Sequence, residues 1–509
     1  ALGENTLIQI YTELLTLPAN GLPLTAMSIG GRMLSGFYRR METAIDSRKG
    51  YDMIAIRFSR VTRLVVCALV IVAASAGLAS LLTRPAGYNV VIVTVDALRA
   101  DYTGPRPDNS LTPALDALAV ESRQYTQAFT TYPSTSVALS SLLCGRTVAY
   151  PRYAGYPNLP GILRDAGYTT AAIVNNRCLV PGGLVEPGRG VERFFDFYDC
   201  GLPWREFTYD GLHANADPDD WPTVIRNLRR RTAAETTDLA IAWLRQRRSG
   251  PFFLWLHYFD THDPYGPPAG STESFPDTSA AGRFADASVI ALDEDCPVEK
   301  LPDAEETRWL RKRYAAGVAY TDRQLARLWT ELRSSGLLSR TILVVTADHG
   351  ELLGEYGSWE HDRTPHYENS RVPLLIRIPA SPPQRIDVPV SHLDLVPTIL
   401  AALRRESPAG LPGQSLFAST PPPERGIVTL QERSVAMQQG EYRLFWYPNT
   451  GETRLTTTGT GTEQPVLRVQ EEARRARMLT VLLRHFHQYQ REMLDPDRRE
   501  RLRSIGYIN

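Results

Sequence analysis

Residues 89–96, NVVIVTVD, are mostly β-branched and lack polar alternation, the pattern of a strand buried on both faces, and they end on a carboxylate. Thr112-Pro113 then opens a predicted helix over TPALDALAVESR, with a capping residue and a proline in its first turn. The order repeats: helix LPGILRDAG before strand YTTAAIV, helix AAETTDLAIAWLRQRR before strand PFFLWLHYF, and a long helix from Ala304 to about Ser335 before strand TILVVTA. Strand VPLLIRIP and helix HLDLVPTILAAL close the pattern near residue 403. Strands alternating with helices predict an α/β domain with a largely parallel central sheet flanked by helices. Beyond about Gly410 come short strands GIVTLQE and YRLFWYP, a Thr/Gly-rich turn region at 456–462 and an amphipathic helix at 469–493. These predict a smaller C-terminal α+β subdomain.

The 509 residues carry 56 Lys plus Arg against 56 Asp plus Glu, so no cationic field is available to hold nucleic acid. Averages conceal one segment, Leu64 to Thr83 (LVVCALVIVAASAGLASLLT), which is uncharged and long enough to cross a bilayer. A buried core helix is the alternative. Arg32, Arg39, Arg40, Arg48, Lys49, Arg57, Arg60 and Arg63 outnumber the acids before it, which orients residues 1–63 to the cytoplasm. The predicted organisation is a cytoplasmic segment 1–63, a transmembrane helix 64–83, a catalytic domain 85–409 and a C-terminal subdomain 410–509, the last two periplasmic or extracellular. Cys144, Cys178, Cys200 and Cys296 then lie in an oxidising compartment, as free thiols or as two disulfides, with Cys178–Cys200 one plausible pair. Segment 263–305, rich in Pro, Asp and Ala, is predicted as a long surface loop.

In open α/β sheets the binding crevice lies beyond the carboxyl ends of the strands. Asp96 ends the first strand, and TILVVTA runs into Asp348-His349-Gly350, so two strands deliver metal-ligand types to one edge. Between them FTTYPSTSVALSSLLCGR is a Ser/Thr-rich turn entering a helix, where N–H groups and the helix dipole favour an anion. Taken singly, an Asp at a strand end is most often a cap and a Ser/Thr turn most often an ST-turn.

Taken in order, NVVIVTVDALRAD, Thr131-Tyr132-Pro133-Ser134, FFLWLHYFDTHDPY, VVTADHGELLGEYGSWEH, the strand from Arg371 to Pro379, SHLDLVPTIL and Pro412-Gly413-Gln414-Ser415-Leu416 resemble the sulfatase branch of the alkaline phosphatase superfamily. The resemblance covers about residues 87–420 and implies that superfamily's α/β fold. Three departures stand out. Sulfatases carry Cys-x-Pro-Ser-Arg, whose cysteine becomes formylglycine, and here Thr131 is read at that position. Ala97 replaces the second aspartate of a calcium site, and Val174-Asn175-Asn176-Arg177 replaces a Gly-Lys-Trp-His segment.

The remaining pattern resembles the branch with a threonine nucleophile, which includes phosphoethanolamine and phosphoglycerol transferases. That resemblance implies one divalent metal held by Asp96, Thr131, Asp348 and His349, with zinc preferred, then manganese, and calcium least suited to an imidazole-containing set. It implies a phosphothreonine at Thr131, with His262 and His361 facing the substrate as proton donors. His366 is a further substrate-binding candidate and His257 a weaker one, whereas His213, His392, His485 and His487 are read as structural. Asp322 has no histidine partner for a second metal and is read as holding a helix or loop in place. The expected function is hydrolysis or transfer of phosphate or sulfate esters, of a lipid or glycan, by a membrane-anchored enzyme. Two alternatives stay open: a sulfate ester hydrolase without formylglycine, and a non-catalytic binding protein on the same scaffold.

Overall fold

The computed structural model describes residues 87–105, 110–147, 156–175, 190–201, 231–246, 249–269, 271, 284, 301–361, 364–417, 421–422, 424–431, 433–458, 464–465 and 471–493. All belong to the second of two units, 83–509; the first unit, 1–82, lies outside the described residues, and so does the predicted span 64–83. Cys178, Cys296, His213 and most of segment 263–305 also lie outside them. Among the described residues no helix is long and apolar enough to cross a membrane.

In chain order the elements are β1 (Asn89–Val95), α1 (Pro113–Ala119), β2 (Arg123–Phe129), α2 (Thr135–Cys144), α3 (Leu159–Asp165), β3 (Thr169–Ile173), β4 (Phe197–Asp199) and α4 (Ala233–Gln246). Then follow β5 (Phe252–Tyr258), α5 (Ala304–Ser334), β6 (Thr341–Ala347), β7 (Leu352–Leu353), β8 (Trp359–Glu360), α6 (Tyr367–Ser370), β9 (Arg371–Arg377), β10 (Gln384–Ile386), β11 (Val390–Ser391) and α7 (Leu395–Ala402). The C-terminal part adds β12 (Ile427–Leu430), β13 (Val435–Gln439), β14 (Tyr442–Trp446), β15 (Thr453–Thr457), β16 (Gln464–Pro465) and α8 (Glu472–Met493).

The nine-stranded sheet runs β10-β2-β9-β6-β1-β5-β3-β4, with β11 also on β2. Its centre, β1, β5 and β6, is buried at every residue, as the unbroken apolar runs require. The sheet is mixed rather than simply parallel: β9 is antiparallel to both β6 and β2, while the other pairings are parallel. The reason lies in the connection. Between β6 and β9 the described residues form the β7–β8 hairpin, with a 3-10 turn at Glu355–Gly357, and the single turn of α6, so the chain re-enters the sheet from the edge it left, whereas a parallel return needs a crossover. The edge-proximal β2, RQYTQAF, carries too many polar residues to be seen as a strand by pattern alone.

Helix α5 starts with a full capping box, Asp303 accepting from Glu306 N and Glu306 accepting from Asp303 N. Further along it, buried Asp322 accepts from Ala114 N at 2.8 Å and Leu115 N at 3.0 Å, holding the first turn of α1 as expected. Strands β12 to β16 form an antiparallel sheet, against which Met478 and Leu482 of α8 pack. Thr456 and Thr457, assigned by composition to a turn, are strand residues of β15. This sheet is sewn to the first: Leu430 N–H donates to Thr131 O at 2.8 Å, Thr429 Oγ1 to Thr130 O at 2.9 Å, and buried Arg443 to Pro365 O and Ser370 Oγ.

Candidate active site

Register brings the two strand ends together. Val95 pairs with Ala347 and Thr94 with His257, so Asp96 and Asp348 emerge side by side at the carboxyl edge, with His257 one step below. Asp96, Asp348 and His349 are fully buried, and one ligand atom from each lies within 4.8 Å of the others. His349 Nε2 is 3.5 Å from Asp348 Oδ2 and 3.8 Å from Asp96 Oδ1. Its Nδ1 is 2.8 Å from Gly350 O, which takes the ring proton and turns the Nε2 lone pair toward the carboxylates.

The carboxylates differ electrically. Burial opposes ionisation of Asp96, but His262, His257 and His349 together hold its carboxyl well below the usual carboxylate range. Burial and then the charge of Asp96 push Asp348 up. Asp348 Oδ1 accepts from Ala97 N at 3.1 Å and His349 N at 2.8 Å, while Oδ2 accepts no hydrogen bond although wholly buried. Two buried carboxylates, one oxygen without a donor and an imidazole lone pair turned the same way fit a divalent cation. Asp96, Asp348 and His349 are the residues that could hold it.

Ala97 takes a left-handed φ of 54° with no exposure, a strained conformation for a residue bearing a Cβ, and is pinned by N–H to Asp348 and by its carbonyl accepting Tyr314 Oη at 2.7 Å. It contributes no ligand, so the set has fewer oxygens than calcium prefers.

The structure sets two threonines of this turn in different surroundings. Thr131 lies in the seam with the C-terminal sheet; its buried Oγ1 makes no hydrogen bond and its carbonyl accepts from Leu430. The hydroxyl that reaches the ligand set belongs to Thr135, with Oγ1 3.3 Å from His349 Nε2 and 3.5 Å from Asp96 Oδ2. Thr135 is the first residue of α2, whose ten residues are all buried, so this hydroxyl stands at the positive end of a helix inside the protein. The turn holds Thr130, Thr131, Ser134, Thr135 and Ser136, and only the point where the helix begins distinguishes Thr135 among them.

His361 and His262 join the site. The ring of His361 is centred 4.2 Å from that of His349 and 5.1 Å from that of His262. His262 stacks on Phe259 at 4.5 Å, with Nδ1 2.8 Å from Asp263 O. His366 stacks on Tyr356 at 4.0 Å and packs toward Phe445 of the C-terminal sheet. His257, rated weakly from sequence, is bound into the centre: Nε2 is 3.3 Å from Asp96 Oδ2 and Nδ1 2.8 Å from Thr94 Oγ1. Period-2 alternation within β5 places it on the same face as its register partner Thr94. Glu351, not singled out in the sequence, is fully buried with Oε1 3.1 Å from His361 Nδ1. Beneath these groups Arg99 donates to Asp101, Glu355 and the Glu351 carbonyl, tying the end of β1 to the β7–β8 hairpin.

The sulfatase family profile matches residues 88–404. The choline-sulfatase of Rhizobium meliloti (strain 1021) is 27% identical over 351 residues, 61% of this chain and 66% of the relative. The arylsulfatase of Clostridium perfringens (strain 13 / Type A) is 24% identical over 393 residues, 64% of this chain and 77% of the relative. The chain thus spans about two thirds to three quarters of the length of these curated relatives. Among solved structures, the phosphonate monoester hydrolase from Silicibacter pomeroyi superposes with a TM-score of 0.60 at 21% identity, covering 79% of this chain and 95% of that one. At that identity the likeness shows a shared fold.

Proposed function

The chain belongs to the sulfatase family and with it to the sulfatase-like ester hydrolases, and on that premise we propose that it hydrolyses phosphoryl or phosphonyl monoesters through Thr135. The observation that carries this reading is the Thr135 hydroxyl at the head of buried α2, within 3.5 Å of both Asp96 and His349. Threonine cannot be converted to formylglycine, which favours phosphorus over sulfur as the electrophile. Asp96, Asp348 and His349 would hold one divalent cation, zinc before manganese. Such a cation supplies Lewis-acid charge that favours ionisation of a neighbouring hydroxyl and neutralises ester oxygens.

The residues divide the rest of the work. Thr135 loses its proton to solvent and Oγ1 attacks phosphorus while the bond to the ester oxygen breaks. The N–H groups opening α2 face the anionic group. His361 or His262 gives the departing oxygen its proton, so an alcohol leaves. Water then attacks the phosphothreonine, the same histidine takes the water proton, and Thr135 is restored by protonation as inorganic phosphate or the phosphonate departs. An alcohol in place of water would make the same cycle a transferase. The stacked pair of Tyr356, on the hairpin, and His366, at the start of α6, is suited to receive the organic part of a lipid or glycan ester. The predicted span 64–83 and the basic residues before it support placing this chemistry outside the cytoplasm.

The test compares matched aryl phosphate, phenylphosphonate and aryl sulfate esters on the full chain, with metal content measured in parallel. Mass spectrometry then searches acid-quenched enzyme for phosphate on Thr135. Faster phosphorus ester turnover with modified Thr135 supports the reading. Faster sulfate turnover without any modified threonine overturns it in favour of the sulfate ester hydrolase, the activity named for the curated relatives.

A further inference from the structure

We propose that Glu351 is a positioning residue that selects the tautomer and orientation in which His361 serves the reaction. The proposal rests on the reading of the site as that of an ester hydrolase. Strand β7 pairs with β8 in the register Leu352↔Glu360 and Leu353↔Trp359. One step before that ladder residue 351 faces residue 361, the spacing at which opposed side chains meet. The contact is made: Glu351 Oε1 lies 3.1 Å from His361 Nδ1.

The surroundings fix both partners. Glu351 has no exposure, and its Oε2 accepts no hydrogen bond. A buried carboxylate in that state depends on whatever donor it has, and His361, 10% exposed at the side chain, is the donor in hand. The Glu351 backbone is held by Arg99 Nη1 at 3.2 Å from its carbonyl, and the hairpin by Arg311 Nε at 2.9 Å from Leu353 O and by Glu355 bridging Arg99 and Arg311. The His361 ring also meets that of His349, tilted at 35°, and that of His262, near perpendicular at 75°. With Nδ1–H given to Glu351, Nε2 on the opposite edge is the nitrogen that exchanges protons with substrate. In the first step the Nε2 proton passes to the ester oxygen as its bond to phosphorus breaks; in the second, Nε2 takes a proton from the attacking water.

A carboxylate that only braced the hairpin would, when altered, depress turnover of all esters alike. A positioning residue acts through the proton given to the leaving group, so its loss is felt most where the leaving oxygen needs that proton. The experiment measures kcat and KM for wild type, Glu351→Gln, Glu351→Ala, His361→Ala and Glu351→Gln/His361→Ala across phosphate esters running from nitrophenyl through phenyl to alkyl. Expected is a loss of about tenfold or more in kcat for Glu351→Gln on the alkyl ester, little loss on the nitrophenyl ester, a nearly unchanged KM, and a double variant no slower than His361→Ala. Equal losses across the series, or losses that multiply in the double variant, overturn the proposal.

An activity-independent arm uses nitrogen-15 histidine spectra, with the His361 signals assigned by their absence in His361→Ala. Wild type should show a protonated Nδ1 hydrogen-bonded to carboxylate, and Glu351→Gln a changed Nδ1 signal; identical spectra overturn the proposal. If the spectra change but no ester is turned over, the failure lies with the ester hydrolase reading and not with the Glu351–His361 pair.

Discussion

Thr135 Oγ1 stands 3.3 Å from His349 Nε2, whereas Thr131, four residues earlier in the same turn, lends its carbonyl to the C-terminal sheet. The two hydroxyls should therefore separate cleanly. Thr135→Ala is expected to lower kcat by about a thousandfold or more, on the order of 4 kcal/mol of barrier, with the fold intact. Thr131→Ala removes a buried hydroxyl that has no hydrogen bond, so activity should stay within a few-fold and stability should be unchanged or slightly raised. Steady-state rates and melting curves of the two variants check this. The reverse ranking would restore Thr131 as the nucleophile.

What could be seen in the chain beforehand followed from how much each residue's neighbours constrain it. Strands β1, β5 and β6 are apolar on both faces and so legible, and the candidate ligands Asp96 and Asp348 stand out because each follows directly on such a strand, with His349 one residue further on. Strand β2 does not read as a strand in sequence, since its glutamines and arginine look like surface, although Tyr125, Ala128 and Phe129 anchor it. The antiparallel setting of β9 depends on a hairpin too short to register as an element. The sequence does not separate Thr131 from Thr135, because a run of hydroxyls carries no direction until the first turn of α2 is located. Glu351 was invisible for another reason: its meaning lies in facing His361 across β7–β8, a relation set by register and not by residue type.

Metal removal should act on stability with a specific sign. Burial and Asp96 push the Asp348 carboxyl up, so without a cation this pair is repulsive, and with one it is not. A chelator should lower the melting temperature of wild type by a few degrees, since a ligand held at about a hundred times its Kd contributes about 2.7 kcal/mol. Asp348→Asn should melt no lower than metal-free wild type and should gain little when zinc or manganese is returned. Metal analysis and differential scanning calorimetry decide it. Chelator-insensitive melting and turnover, with no metal bound, would remove the cation from the mechanism.

Gly350 is expected to be intolerant of any side chain. It follows Asp348 and His349, its N–H donates to Asn369 O at 2.8 Å, and a Cβ there would overlap the Glu368 carbonyl oxygen, which is backbone and has little room to retreat. Gly350→Ala must therefore shift the Asp348-His349 turn or the α6 turn. A destabilisation of about 1–3 kcal/mol, together with weaker metal binding, is the expected result. Urea unfolding and a metal titration of the same sample report on both. Wild-type values in each would show that the two segments are not in close contact.

His392 gives the fold an acid limit. It is fully buried with Nε2 3.2 Å from Thr346 Oγ1, and burial, reinforced by His349, pushes its pKa down to about 3. An unfolded histidine takes up its proton near pH 6.5. Between these values the unfolded chain binds a proton that the folded chain refuses, so stability is whole above about pH 6.5 and falls as pH drops toward 3, by at most on the order of 5 kcal/mol. His392→Gln removes that dependence, at the cost of some packing at neutral pH. The stability advantage of wild type over His392→Gln should thus shrink steadily as pH is lowered from 7 to 5, measured by chemical denaturation at each pH. Parallel curves would mean that His392 can be protonated inside the folded protein.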